Sequence, residues 1–212
     1  MHLRSRDLQS SQRRLASERG EEILRRLEDL FLDGGFAHLT VDALAKELKC
    51  SKSSLYAIAS SREQLVVAVV KHFFRGAAAQ IEARVRAIQD PRDRIAIYLA
   101  SVGDEMRRMS RACYADMVAF GATRGIYDHN SRVAAGRVHD MIHDGIASGA
   151  FRPVHAEFVA EAVSLLIEGI QHGALLERTG LSSGDAYGEL STLVLAALTN
   201  GAKSGTDRRR SP

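Results

Sequence analysis

The sequence predicts an all-α protein, and three observations carry that expectation. No segment shows sustained apolar/polar alternation bounded by turns, so no strand is expected. Apolar residues recur instead at helical spacing through most of the chain. Near the N-terminus two short periodic stretches, each preceded by a capping residue, lie only three residues apart, which is the pattern of a helix-turn-helix.

The first helix carries the apolar stripe Ile23, Leu24, Leu27, Leu30 and Phe31 and should end at Gly34-Gly35, where glycine can take the left-handed C-terminal conformation. Thr40 caps the second, whose apolar positions are Val41, Leu44, Ala45 and Leu48. After Lys49-Cys50-Ser51 comes the stretch on which function hangs, Ser51-Lys52-Ser53-Ser54-Leu55-Tyr56. Ser51 is a good N-cap because its hydroxyl accepts an amide hydrogen that the first turn leaves unpaired. Small polar residues and one cation behind it let a backbone approach nucleic acid closely, while Leu55 points inward as an anchor. Three helices of this kind can close a small core.

At these residues the chain resembles the TetR family of transcriptional regulators. The resemblance runs from Ile23-Leu24 through Leu30-Phe31, Gly34-Gly35-Phe36, Leu39-Thr40-Val41 and Leu44-Ala45 to Ser51–Tyr56 and Arg62-Glu63-Gln64-Leu65. Three positions depart from the family pattern. Lys49 stands where a glycine is usual in the turn, and Ala57 and Ala59 replace the usual aromatic or histidine and the phenylalanine after the tyrosine, so base preference does not carry over. The resemblance implies that Thr40, Ser51 and Tyr56 contact phosphates and that Lys52, Ser53 and Ala57 face the major groove beside Ser54, with Arg62 adding a phosphate contact. Thr40 and Ser51 are equally explained as helix caps.

Beyond Ser60-Ser61, the positions Leu65, Val66, Val69, Val70, Phe73, Phe74, Ala77, Ile81, Val85 and Ile88 mark a long helix ending before Pro91. A helix over 92–109 follows, then one through Cys113, Met117 and Phe120 that loses definition near Gly121 and Gly125, then one over 128–149. Gly149 and Pro153 bound a turn. The last two helices, 155–179 and 183–200, are apolar on more than one face and so need a second partner. That partner is either a wide intramolecular core or a twofold mate in a four-helix bundle; the resemblance favours the homodimer, with Leu166, Ile170, Gly173, Leu193, Val194 and Ala197 at its interface.

Charge and composition set outer limits. With 212 residues and 45% hydrophobic content the chain can bury a proper core. Residues 1–62 hold 11 Lys/Arg against 9 Asp/Glu and residues 201–212 hold 4 against 1, which leaves 14 against 16 between them. The basic excess therefore sits at the ends. No apolar run reaches the roughly 20 residues that span a bilayer, and the arginine-rich N-terminus lacks the apolar middle of a signal peptide, so a cytoplasmic protein without membrane contact is expected. Cys50 and Cys113 fall in no metal-ligand spacing and read as free thiols. The organisation expected is a basic arm (1–18), a helix-turn-helix DNA-binding domain (19–62, motif 39–58), a helical effector-binding and dimerisation domain (63–200) and a disordered basic tail (201–212).

Enzyme chemistry finds no footing: there is no Gly-x-Ser-x-Gly elbow, no phosphate-binding Gly-x-x-x-x-Gly-Lys-Ser/Thr loop and no His-Glu-x-x-His, and no cofactor is implied. His139 and His143, four apart on one helix, are weak metal candidates that would need further donors such as His172 or Glu168. The resemblance implies a cavity for a small-molecule effector, with Phe73, Phe74, Tyr98, Met106, Met109, Tyr114, Met117, Phe120 and Tyr127 as candidate lining. The function expected is a repressor that binds a (pseudo)palindromic operator on double-stranded DNA as a homodimer and is released by the effector. The alternative is a helical ligand- or metal-sensing protein with weak or no sequence-specific DNA binding.

Overall fold

The computed structural model describes the backbone of residues 2–199 and the side chains from residue 18 onward; the tail expected at 201–212 lies outside the described residues. Among the described residues ten helices follow one another: α1 (His2–Gly34), α2 (Val41–Glu47), α3 (Lys52–Tyr56), α4 (Arg62–Val85), α5 (Pro91–Arg107), α6 (Arg111–Ala119), α7 (Gly121–Ala147), α8 (Ala156–Gln171), α9 (Ala174–Thr179) and α10 (Ser183–Thr199). Among the described residues there is no strand, and no helix is long and apolar enough to cross a membrane.

Local chemistry explains most of the helix starts. Thr40, Ser51, Ser61, Asp90 and Ser110 each accept a backbone amide of the first turn of α2, α3, α4, α5 and α6, and Pro91 opens α5, where its missing amide hydrogen costs nothing. α1 ends as expected, with Gly35 at φ +77°. Its other end differs from expectation: the stretch read as an arm continues the helix back to His2.

Two further boundaries depart from the sequence pattern. α7 begins at Gly121, seven residues before the expected start, and passes through Gly125 without a break. The single helix expected over 155–179 is divided, because Gly173 takes φ +78° between α8 and α9. The left-handed backbone at position 173 favours glycine, and the exposed guanidinium of Arg111 lies against it.

The head of the molecule, α1 to α3, closes over Leu27, Leu44 and Leu55, each at most 1% exposed, and each such burial contributes about 2 kcal/mol. The body consists of α5 to α10, with α4 running from one part to the other. Phe73 of α4 joins Ile95, Met117, Ile142 and Leu198 of the body among the most deeply buried positions, in an apolar core continuous with that of the head. α10 packs on α5 and α8, and α7 on α8. Close packing is strict at Gly145, where an added methyl group would overlap the Phe151 ring.

Both cysteines are free thiols, in different surroundings. Cys50 is half-buried, whereas Cys113 is 2% exposed and burial, with a smaller contribution from the Asp116 charge, pushes its thiol up to about 12. Below that pH it stays protonated and inert. A thiol-reactive dye at pH 8 is therefore expected to label one cysteine in the native protein and the second only after denaturation, as counted by absorbance; fast labelling of both would contradict the packing around α6.

Candidate nucleic-acid interface and effector cavity

The helix-turn-helix presents one polar face to solvent. Leu55 is fully buried and holds α3 to the head, while Thr40, Ser51, Lys52, Ser53, Tyr56 and Ala57 are exposed and Ser54 is half-buried. Tyr56 leaves half of its surface in water. The serines are mutually organised: Ser51 Oγ lies 2.7 Å from Ser53 Oγ and 2.9 Å from Ser54 Oγ. Ser51 and Thr40 act as caps through 3.2 Å bonds from the Ser54 and Ala43 amides, so their hydroxyls are engaged within the fold. Lys52 forms an ion pair with Asp42 of α2, whose hydrogen bond and charge raise its pKa.

Lys49 in the turn has φ +52°, a conformation that costs a side chain about 1–2 kcal/mol and glycine very little. This is the physical reason that glycine is usual there. Here the turn holds through the Cys50 amide bonded to Ala45 O at 3.0 Å, with the Arg26 guanidinium donating to Leu48 O at 2.9 Å.

Arg62, expected to reach a phosphate, is engaged elsewhere. Its guanidinium donates to the carbonyls of Leu39 (2.6 Å), Phe36 (2.7 Å) and Ala37 (3.0 Å), tying the start of α4 to the α1–α2 connection. The same connection is held from the body: Asp116 Oδ2 on α6 accepts the amides of Phe36 (2.6 Å) and Ala37 (2.7 Å), and the Ser110 amide donates to Leu32 O at 2.8 Å.

A second joint lies deeper. Glu28 of α1, 7% exposed, receives Arg108 at 2.6 Å and His72 of α4 at 2.6 Å, and Arg108 also bonds the buried Glu105 at 2.8 Å. Burial opposes the charge on Arg108, but the hydrogen bonds it donates to Glu105 and Glu28 outweigh it and raise its pKa. Its guanidinium also lies over the Phe73 ring, 5.6 Å from the centroid. Glu28 sits on the apolar stripe of α1, and a carboxylate at that register was the one sequence signal of this joint.

A half-open cavity of about 140 Å³ lies between α4, α5, α7 and α8. Of the nine residues expected to line it, Phe74, Tyr98, Met106 and Tyr127 do so. Phe73, Met109, Tyr114 and Met117 are buried in the core and Phe120 packs against it, apart from the cavity wall. The rest of the lining comes from residues without a sequence signature, among them Ile81, Val102, Asn130, Ser131, Ala134 and Ile167. The charges in the wall form a closed pair, with Arg137 donating to both oxygens of Glu82 at 2.8 and 2.9 Å. Burial raises the pKa of Tyr98 to about 12 and that of Tyr127 further, so both phenols face the cavity uncharged.

His139 and His143 gather no further ligands. His139 lies 3.3 Å from Asp140, His143 is exposed, and His172 pairs with the Tyr114 hydroxyl at 3.0 Å. Among the described residues no three His, Cys, Asp or Glu side chains come together as a metal site.

Of the six residues expected at a pairing face, Leu193 is exposed and Leu166 and Ala197 are half-buried, but Ile170, Gly173 and Val194 are turned into the chain's own interior. Phe158 and Leu165 of α8, 72% and 66% exposed, occupy the outer face instead.

The chain joins an all-α body by one long helix to a small helix-turn-helix head, and known proteins share both the head's sequence pattern and the whole fold. Residues 23–69 match the family model of bacterial regulatory proteins, tetR family. The fold matches a protein from Saccharomonospora viridis solved in complex with choline (18% identity, 87% of this chain and 100% of that one, TM-score 0.74). It also matches a TetR transcription regulator from Haloarcula marismortui (19%, 87% and 100%, 0.73) and the reduced form of E. coli NemR (18%, 87% and 99%, 0.70). None of the curated proteins searched matches the chain. The head thus carries the stretch that matches that family model, and the chain as a whole shares the all-α fold of these solved regulators.

The clamp made by Arg62 yields a direct expectation. Substituting Arg62→Ala leaves three carbonyls without their donor and should lower stability by about 2 kcal/mol, or roughly 4–8 °C in Tm. An unchanged melting curve by circular dichroism, with DNA affinity alone affected, would return Arg62 to the role of phosphate contact.

Proposed function

We propose that the protein is a homodimeric repressor that reads a (pseudo)palindromic operator and releases it when a small molecule fills the body cavity. The observation that carries this reading is the placement of α4. Its first residue grips the α1–α2 connection, and Phe74 to Glu82 wall the cavity. Twenty residues of helix between Arg62 and Glu82 span about 30 Å, long enough to carry a displacement at the cavity to the head.

On DNA, Lys52 and Ser53 approach base edges and Tyr56 a phosphate, with Ala57 leaving room for a thymine methyl. The pairing of Lys52 with Asp42 sharpens this role, because Lys52 exchanges that carboxylate for a partner on the duplex. Two heads in a symmetric dimer must meet successive major grooves about 34 Å apart, and a cavity-driven tilt of α4 spoils that spacing. Pairing through Phe158 and Leu165 of α8 and Leu193 of α10 covers apolar surface that the single chain leaves in water.

The S. viridis relative holds a small cation, choline. In this chain the carboxylate in the cavity wall, Glu82, is already neutralised by Arg137, so the cavity favours an apolar ligand body.

Two measurements test the proposal. Lys52→Ala should weaken operator binding about tenfold in fluorescence anisotropy and lower the slope of log affinity against log salt by about one; affinity equal to the parent's at every salt concentration removes α3 from the interface. Leu165→Glu should convert a dimer into a monomer in sedimentation velocity, and a dimer of undiminished strength would exclude the outer face of α8.

A further inference from the structure

A second space adjoins the cavity at Phe74. This more open cleft of about 510 Å³ lies between the middle of α4 and the first turns of α7, and the two spaces share Phe74, Ala78 and Asn130 as common walls. The cleft exists because the facing helices carry small residues there, Ala78 on one and Ala122 and Gly125 on the other; a Cβ at Gly125 would meet nothing within 4 Å.

Its charge is one-sided. Lys71 and Arg75, four apart on α4, line it together with His129 of α7, and its lining contains no carboxylate. Neighbouring arginines have acidic partners: Arg137 holds Glu82, Arg108 holds Glu28 and Glu105, and Arg124 lies 3.9 Å from Asp128. Lys71, Arg75 and His129 form no ion pair among the described residues. An apolar chamber without uncompensated charge therefore lies beside a cationic cleft, with Phe74, Ala78 and Asn130 bordering both.

We infer that the effector is an amphipathic anion, a carboxylate on an apolar body. The inference rests on the reading of the inner cavity as the effector site. The apolar part lies against Phe74, Ile81, Val102 and Ile167, and the carboxylate stays at the cleft between Lys71 and Arg75. This arrangement leaves the anion partly hydrated and never strips it of both water and counter-charge, the costly alternative. A cationic head at the same place meets like charge, and a neutral one gains only the apolar contact.

Isothermal titration of the full chain with octanoate, 1-octanol and octyltrimethylammonium separates these cases, with the Lys71→Ala/Arg75→Ala double variant alongside. Both altered side chains are exposed, so the variant should keep the parent's melting curve. Octanoate is expected to bind about tenfold more tightly than octanol, the ammonium compound least tightly, and the double variant to bring octanoate down to the level of octanol without altering octanol itself. Equal binding of octanoate and octanol, or tighter binding of the cation, overturns the anion assignment and leaves the effector cavity standing. Absence of binding by all three overturns both.

Discussion

The guanidinium of Arg108 joins two carboxylates that belong to different ends of the molecule, Glu28 from the head and Glu105 from the body. Both carboxylates are almost fully removed from water, and a buried carboxylate without a cation is strongly destabilising. The orientation of the head on the body is therefore specified by direction as well as by apolar area: a small rotation that preserved hydrophobic burial would still break these bonds. Asp116 and Ser110 add a second directional joint one helix away, on the connection that precedes the reading unit. Two charged or hydrogen-bonded joints and one continuous helix leave the head few ways to move independently of the body.

That constraint gives α4 its significance. His72 on α4 touches the buried joint, Arg62 touches the α1–α2 connection, and Phe74, Ile81 and Glu82 face the cavity. A helix held at one end by carbonyl bonds and lined by a void at the other can tilt about its fixed part with little loss of packing. The cavity sits between α4, α5, α7 and α8, beside small residues such as Ala77, Ala78 and Ala134.

Much of the head was legible beforehand because its determinants are local. Caps at Thr40 and Ser51, the glycine stop after Gly34 and the apolar stripes act over a few residues and appear in sequence as fixed spacings. The site was less legible. Arg62 looks like any basic residue at a helix start, and nothing in its neighbourhood announces three carbonyls converging on it. Phe73, Tyr114 and Met117 resemble pocket-lining residues by type, yet they fill the core while Asn130, Ser131 and Ala134 border the space. A cavity is defined by where side chains are too small to meet, and small residues carry no pattern of their own.

The outer face of α8 shows the same limit. Its apolar positions extend round more than one side, so periodicity could not say whether Ile170 or Leu165 faces inward. The sequence by itself determined the helical class, the helix-turn-helix with its buried Leu55 and exposed Lys52, and the need for a partner to the last helices, because each follows from spacing along one helix. Only the tertiary structure decided which face of α8 remains open, where the cavity lies and how the head is fastened to the body. Those depend on contacts such as the one between Phe36 and Asp116, eighty residues apart, and such contacts leave no periodic trace in the chain.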